Sequence, residues 1–217
     1  DSAIFEFIRT YKDHGKNFNL MGSKRSELGS FKWLHQSLGS NYRLTEMQAY
    51  IGRRQVEKLS EWTLLRNRNA AIFINQLKVL EKKGVVRVPR LLDEKILDQA
   101  IHLSDFEAAL SKTSTKHGYY KFYLYIEESG RKTSMVRDAL LDKLRLSGVP
   151  AFSGSCPEIY REKVFSDAHL APPKRLPNAK RLGETSLMFL VHPTLSVDEV
   201  VWMAETVREQ IAEYFCE

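Results

Sequence analysis

The sequence predicts an α/β (α+β) chain: a small, mostly antiparallel sheet with helices packed on it and one long linking helix. Three observations predict it. Short runs of β-formers are separated by helical patterns. No internal repeat is present. Residues 46–83 carry apolar side chains at spacings of three and four, or multiples of these, far beyond an ordinary globular helix.

Taken in order, residues 1–15 form a short helix with Ile4, Phe5, Ile8 and Tyr11, closed by Gly15. Residues 16–44 have no sustained period, yet they carry Phe18, Leu20, Met21, Phe31, Trp33, Leu34 and Leu38. That is too apolar for a linker and too long for a structureless loop inside a compact domain. The stretch is therefore expected to be an extended loop or hairpin packed on chain outside it or on a second subunit. Thr45 and Gln48 make a capping box, so the long helix begins near Glu46. Gly84 ends it, and a bend is expected near Gly52. Trp62 and Phe73 read as core.

Val85–Pro89 is a short edge strand stopped by proline. Residues 91–118 are ambiguous, with a helical turn or two at 105–110. Residues 119–126, dense in aromatics, are the clearest strand. A helix over 134–147 is ended by Gly148. Strand segments at 149–152 and 187–191 flank a loop-rich stretch with short helices at 158–165 and 178–184. Ser196 with Glu199 caps a final helix. Residues 1–45 thus form one segment and 46–217 a second domain.

The 217 residues are 43% hydrophobic and carry a net charge of +6, with a pI near 9.2. The basic pairs Lys24-Arg25, Arg53-Arg54, Arg131-Lys132, Lys174-Arg175 and Lys180-Arg181 are scattered, which argues against nucleic acid as a partner. Cys156 and Cys216, the only cysteines, make neither a disulfide framework nor a zinc site, so a reducing, cytoplasmic setting fits. The six histidines lack metal spacing. No run is long enough to span a bilayer. Asp1 stands inside what reads as a helix end, so the sequence is expected to be part of a longer chain.

The chemistry is concentrated in Gly39-Ser-Asn-Tyr-Arg-Leu-Thr-Glu-Met-Gln-Ala49. Asn41 and Arg43 stand in extended chain just before a helix N-terminus, where partial positive charge and an arginine fork suit a phosphate or carboxylate. A solvated arginine at a plain helix start is the alternative. This stretch resembles the segment that marks the DegT/StrS-type sugar-nucleotide aminotransferases. Asp13-His14-Gly15-Lys16 is similar to that family's Asp-His-Gly turn. Thr185-Ser-Leu-Met-Phe-Leu-Val-His-Pro-Thr-Leu-Ser196 looks like its last strand and the turn into its last helix.

The resemblance implies the small C-terminal domain of a fold-type-I pyridoxal-phosphate enzyme. Such an enzyme would move an amino group, from glutamate, to a keto-sugar nucleotide in polysaccharide biosynthesis. It implies a homodimer with shared active sites, in which Asn41 reaches the cofactor phosphate of the neighbouring subunit and Arg43 is similarly placed for that phosphate or for a substrate carboxylate or diphosphate. His14 and Tyr42 become substrate candidates, although a turn histidine is equally well satisfied by backbone. Ser153, Ser155 and Tyr160 are candidates for a hydroxylated ligand or plain loop residues, because Ser153–Tyr160 departs from the His-Tyr pair commoner in the family.

The family's Schiff-base lysine stands in a Ser-x-x-Lys stretch followed by a Gly-Glu-Gly-Gly-like turn, upstream of Asp-His-Gly; no such stretch exists here, and Lys12, Lys16 and Lys24 lack that context. No catalytic residue is therefore expected in these 217 residues, which would be inactive alone. A non-catalytic module on the same scaffold, binding a sugar nucleotide or a protein, is the alternative function.

Overall fold

A computed structural model describes residues 1–20, 35–89, 92–127 and 133–216, without the side chains of residues 20, 133, 134 and 216. Met21, Phe31, Trp33, Leu34, the Lys24-Arg25 and Arg131-Lys132 pairs and the Cys216 side chain, all noted above, lie outside the described residues. The chain divides into two compact units, Asp1–Lys58 and Leu59–Glu217. The division falls within the long helix.

The first unit opens with α1 (Ser2–Tyr11), whose Asp1 carboxylate caps the amides of Ala3 and Ile4. Ile4, Phe5, Phe7 and Ile8 on α1 are each more than half exposed. After a 3-10 turn at Phe18–Leu20, the chain returns alongside the end of α1 through bridges between Asp13 and Asn41 and between Lys16 and His35. The next helix, α2 (Glu46–Lys82), runs from the first unit into the second. Its capping box forms as expected: the Gln48 amide nitrogen of the backbone donates to Thr45 Oγ1 at 3.3 Å, and Thr45 N donates to Gln48 Oε1 at 3.1 Å. The helix is uninterrupted through Gly52. Gly84, at φ 70°, turns the chain out of it.

In the second unit, β1 (Val86–Arg87), β2 (Phe122–Ile126), β3 (Ala151–Phe152) and β4 (Ser186–Phe189) form a sheet in the order β1-β2-β4-β3, all pairs antiparallel. The strands are shorter than the sequence suggests. The ambiguous stretch holds α3 (Glu94–Leu97), capped by Asp93, and α4 (Leu103–Leu110). Three helices follow: α5 (Thr133–Leu146), α6 (Lys163–Asp167) and α7 (Pro177–Thr185). The last element is α8 (Val197–Cys216), which begins at the expected Ser196/Glu199 capping box.

The core explains the pattern. Side chains alternate along a strand, so Phe122, Leu124 and Ile126 of β2 enter the core with Leu187 and Phe189 of β4. Phe73 of α2 is fully buried and stacks on Phe122 and Phe189, with ring centroids 5.0 and 5.5 Å away. Leu140 and Leu144 of α5 and Val200, Ala204 and Val207 of α8 complete it.

Three consecutive polar residues of α2, Asn67, Arg68 and Asn69, are buried as well. Asn67 Nδ2 donates to the carbonyls of Thr63 and His117. Asn69 Nδ2 donates to His192 O, while its Oδ1 accepts from Arg68. Two of these bonds tie the helix to loop carbonyls, those of His117 and His192.

Candidate functional site

Two glycines set the geometry of the site in the first unit. Gly15 has φ 75°, and a Cβ there would lie 1.8 Å from Ser37 O. A Cβ on Gly39 would lie 2.3 Å from Gly15 N and 2.6 Å from Tyr11 O. Only paired glycines let the two segments touch. Backbone hydrogen bonds then zip them: Ser40 N to Tyr11 O, His14 N to Ser40 O, Tyr42 N to Lys12 O and Gln36 N to Gly15 O.

This zipper gathers Asp13, His14, Lys16, Asn41 and Arg43. Arg43 Nε donates to Asn41 Oδ1 at 3.0 Å, Nη1 pairs with Asp13 Oδ1 at 3.4 Å, and Nη2 lies 3.2 Å from His14 Nε2. Lys16 Nζ also meets Asp13 Oδ1 at 3.4 Å. Burial pushes the Asp13 carboxyl upward, but the Lys16 hydrogen bond and the charges of Arg43, Lys16 and His14 outweigh it and hold the pKa below the usual value. His14, at φ 58°, is held on the backbone side too, since His35 Nδ1 meets its carbonyl at 2.8 Å.

A guanidinium has five N–H donors. Among the described residues three face Asn41, Asp13 and His14, and the other two, one on each terminal nitrogen, meet no protein acceptor. The Asn41 Nδ2 amide has no protein acceptor among the described residues. With Lys16 and Arg43 against one carboxylate, the cluster keeps an excess of positive charge. Such a donor set suits an anion such as a phosphate. Tyr42 is exposed beside it, its ring 6.2 Å from that of Tyr11. Asp13, Lys16 and His35 escaped selection as site residues, although Asp13 stands in the quoted Asp-His-Gly motif.

The other sequence candidates lie in the second unit. Ser155 borders a cavity of about 590 Å³, with its Oγ 3.3 Å from the Tyr123 hydroxyl. Ser153 uses its carbonyl to accept from Ser186 Oγ at 2.6 Å. Tyr160 is fully engaged: its hydroxyl donates to Glu158 Oε1 and accepts from Leu176 N at 2.9 Å. Arg175 pairs bidentately with Glu158, donating from Nε at 3.0 Å and also from Nη2. The hydrogen bonds from Arg175 and Tyr160 bring the Glu158 carboxyl down to about 2. Glu158 and Arg175 lie 17 positions apart, with no periodic signal to link them.

A sequence pattern of the DegT/DnrJ/EryC1/StrS aminotransferase family matches residues 1–208. The chain belongs to this family. Among solved structures it is similar to an aminotransferase from Psychrobacter cryohalolentis, with 37% identity, TM-score 0.75, and coverage of 100% of this chain and 50% of that one. It shares its fold with Helicobacter pylori PseC, an aminotransferase involved in the biosynthesis of pseudoaminic acid (17% identity, TM-score 0.67, 98% and 47%). It does so too with the E. coli GDP-4-keto-6-deoxy-D-mannose-3-dehydratase solved with bound hydrated PLP (19% identity, TM-score 0.68, 95% and 48%). The chain thus spans about half the length of the solved structures it matches. No curated protein sequence matches it.

Pyridoxal phosphate is the cofactor of the family. Among the described residues, no helix is long and apolar enough to cross a membrane, and no three potential ligands cluster to hold a metal.

Proposed function

We propose that the chain provides the small domain and the phosphate-binding segment of a cytoplasmic, pyridoxal-phosphate-dependent aminotransferase acting on a keto-sugar nucleotide, with glutamate as amino donor. The Arg43 fork carries this reading. It is fixed by Asp13 and Asn41 and, among the described residues, keeps two donors for an anion. Asn41 Nδ2 adds further donors, and the donor set fits a cofactor phosphate. When bound, the cofactor supplies the electron sink for moving the amino group. Asn41 and Arg43 would anchor its phosphate and so fix its orientation, while Lys16 adds positive charge and Asp13 keeps both cations in place. His14 and Tyr42 stand next to the fork as substrate contacts, and Ser155 offers a hydroxyl in the second unit. No lysine here stands in the family's full context, a Ser-x-x-Lys stretch followed by a Gly-Glu-Gly-Gly-like turn upstream of Asp-His-Gly, so the reading gives these residues binding roles and leaves the proton-transferring lysine elsewhere.

We further infer that Arg43 serves the site of a second subunit in a two-fold dimer. The support is apolar surface left uncovered around it: Leu38, Tyr42 and Leu44 are 93%, 68% and 69% exposed. In the full-length enzyme that this reading implies, one variant lacks the catalytic lysine and another carries Arg43→Ala; each is inactive alone. Unfolded together and refolded, about half of the dimers are mixed and each holds one intact site, so roughly a quarter of the activity returns. Absence of recovery, with mixed dimers verified by mass, refutes the shared site.

A further inference from the structure

Two arginines are buried among the described residues, Arg68 and Arg137, and their surroundings differ. Arg137 has a counter-charge and two carbonyls: its Nε pairs with Asp138 Oδ1 at 2.6 Å, and its Nη1 donates to Gly183 O and Ser186 O. Arg68, on α2 and 8% exposed, has no carboxylate within ion-pair distance among the described residues. Its Nε and Nη2 both donate to Asn69 Oδ1, at 3.2 and 2.9 Å. Burial pushes the Arg68 guanidinium below its ordinary value, and no neighbouring charge offsets that push.

The hydrogen bonds define which edge of Arg68 is left over. The side-on edge, Nε and Nη2, is spent on one amide oxygen. The end-on edge, made by Nη1 and the second N–H of Nη2, meets no acceptor among the described residues. That edge is held in place, because Asn69 Nδ2 donates to His192 O at 3.0 Å and so ties the Arg68–Asn69 pair to the turn before α8. Asn67 Oδ1, Asn75 Oδ1 and Gln210 Oε1 are sealed from solvent without a partner, whereas Nη1 of Arg68 is not sealed and stays within reach of a solute. A buried cation without a counter-charge is costly to hold, and a bound anion removes that cost.

We propose that the Nη1/Nη2 edge of Arg68 is a binding site for a carboxylate held end-on. Two parallel N–H groups match the two oxygens of a carboxylate. One guanidinium balances one negative charge. A dianionic phosphate would stay half neutralised, and its neighbours on α2, Asn67, Asn69, Ala70 and Ala71, are all fully buried. The carboxylate arrives either free, on a small molecule, or on the side chain of an acidic residue from another polypeptide. Once bound, it neutralises the charge where α2 meets the turn before α8, and it stabilises the second unit by mass action. The inference stands on Arg68 and does not depend on the role given to Arg43.

The test is a titration of the full 217-residue chain, followed by its thermal midpoint and by the Arg68 Nε–H signal in NMR. The probes are sodium acetate, a glutamate-centred tripeptide blocked at both ends, and inorganic phosphate, with chloride holding the ionic strength at about 0.1 M. Acetate or the peptide is expected to shift the Arg68 signal saturably and to raise the midpoint. The tighter of the two names the source of the carboxylate. Arg68→Met, similar in length and uncharged, is expected to abolish the rise without lowering the midpoint in carboxylate-free buffer. Arg68→Lys keeps the charge but not the fork; it is expected to weaken binding roughly tenfold or more, and serves alone if the methionine variant misfolds. Absence of a saturable shift, tighter binding of phosphate at the Arg68 signal, or undiminished binding in either variant overturns the proposal.

Discussion

Arg43 Nη1 lies 3.4 Å from Oδ1 of Asp13. An arginine at the threshold of one helix is thereby aimed by an aspartate just past the end of another. Asp13→Ala is expected to leave the fold intact and to release the fork. In the full-length enzyme, kcat/KM is expected to fall about 10- to 100-fold, the cost of a mispositioned binding group. Asp13→Glu, which keeps the charge, is expected to recover part of it. Unchanged kinetics in Asp13→Ala would show that Arg43 needs no such support.

The Gly15–Gly39 contact is expected to tolerate no side chain. The Cβ of Gly39→Ala collides with backbone atoms on two sides, and overpacking of this kind costs about 1–3 kcal/mol. Amide hydrogen exchange should accelerate for His14, Ser40 and Tyr42, whose hydrogen bonds form the zipper, while Phe122–Ile126 stays protected. Protection retained at Tyr42 would contradict the steric account.

Glu158 makes the 158–176 clasp acid-sensitive in a defined direction. Its carboxyl sits at about 2 in the folded chain against an ordinary 4.5. A depressed carboxylate contributes stability that is fully present above its unfolded value and is lost as pH falls. The protection factor of Leu176 N, its rate corrected for intrinsic base-catalysed exchange, is therefore expected to be flat above pH 4.5 and to fall from there toward about 2. Glu158→Gln should show low protection at Leu176 N at every pH; a fall in protection toward acid that persists in the variant would assign it to another group.

Phe73 joins α2 to β2 and β4 through two stacked rings. Phe73→Ala removes a fully buried aromatic and is expected to destabilise the second unit by roughly 3–5 kcal/mol in denaturant unfolding. Phe73→Leu should cost less, since it leaves a smaller void. Equal losses for the two would mean that the stacking geometry, rather than the volume, carries the stability.

What was legible in the sequence follows a physical line. Both capping boxes, the closing glycines at 84 and 148, and the aromatic strand at 122–126 were readable, because each is decided by neighbours in sequence. Asn41 and Arg43 were singled out through one motif and His14 through another, but their meeting in one cluster was not readable. The Asp13 contact, the Glu158–Arg175 pair and the buried Asn67-Arg68-Asn69 run were not. Each is settled by a partner far along the chain, and a polar residue gives no periodic sign of the carbonyl or cation awaiting it. Tyr160 shows the same effect from the other side: a hydroxyl that looks available in the sequence is already spent on Glu158 and Leu176.

Helix α7 ends at Thr185 and β4 starts at Ser186, with nothing between them. Buried Arg137 seals the junction by donating to the carbonyls of Gly183 and Ser186. A junction without slack cannot absorb a change in length. One residue inserted there would send Leu187 and Phe189 to the cavity face and Ser186 and Met188 into the core, because side chains alternate along a strand. It would also move a carbonyl away from Arg137. Insertions and deletions that this protein can survive are therefore expected to be confined to other places in the chain, and the spacing from Pro177 to Phe189 behaves as a fixed ruler.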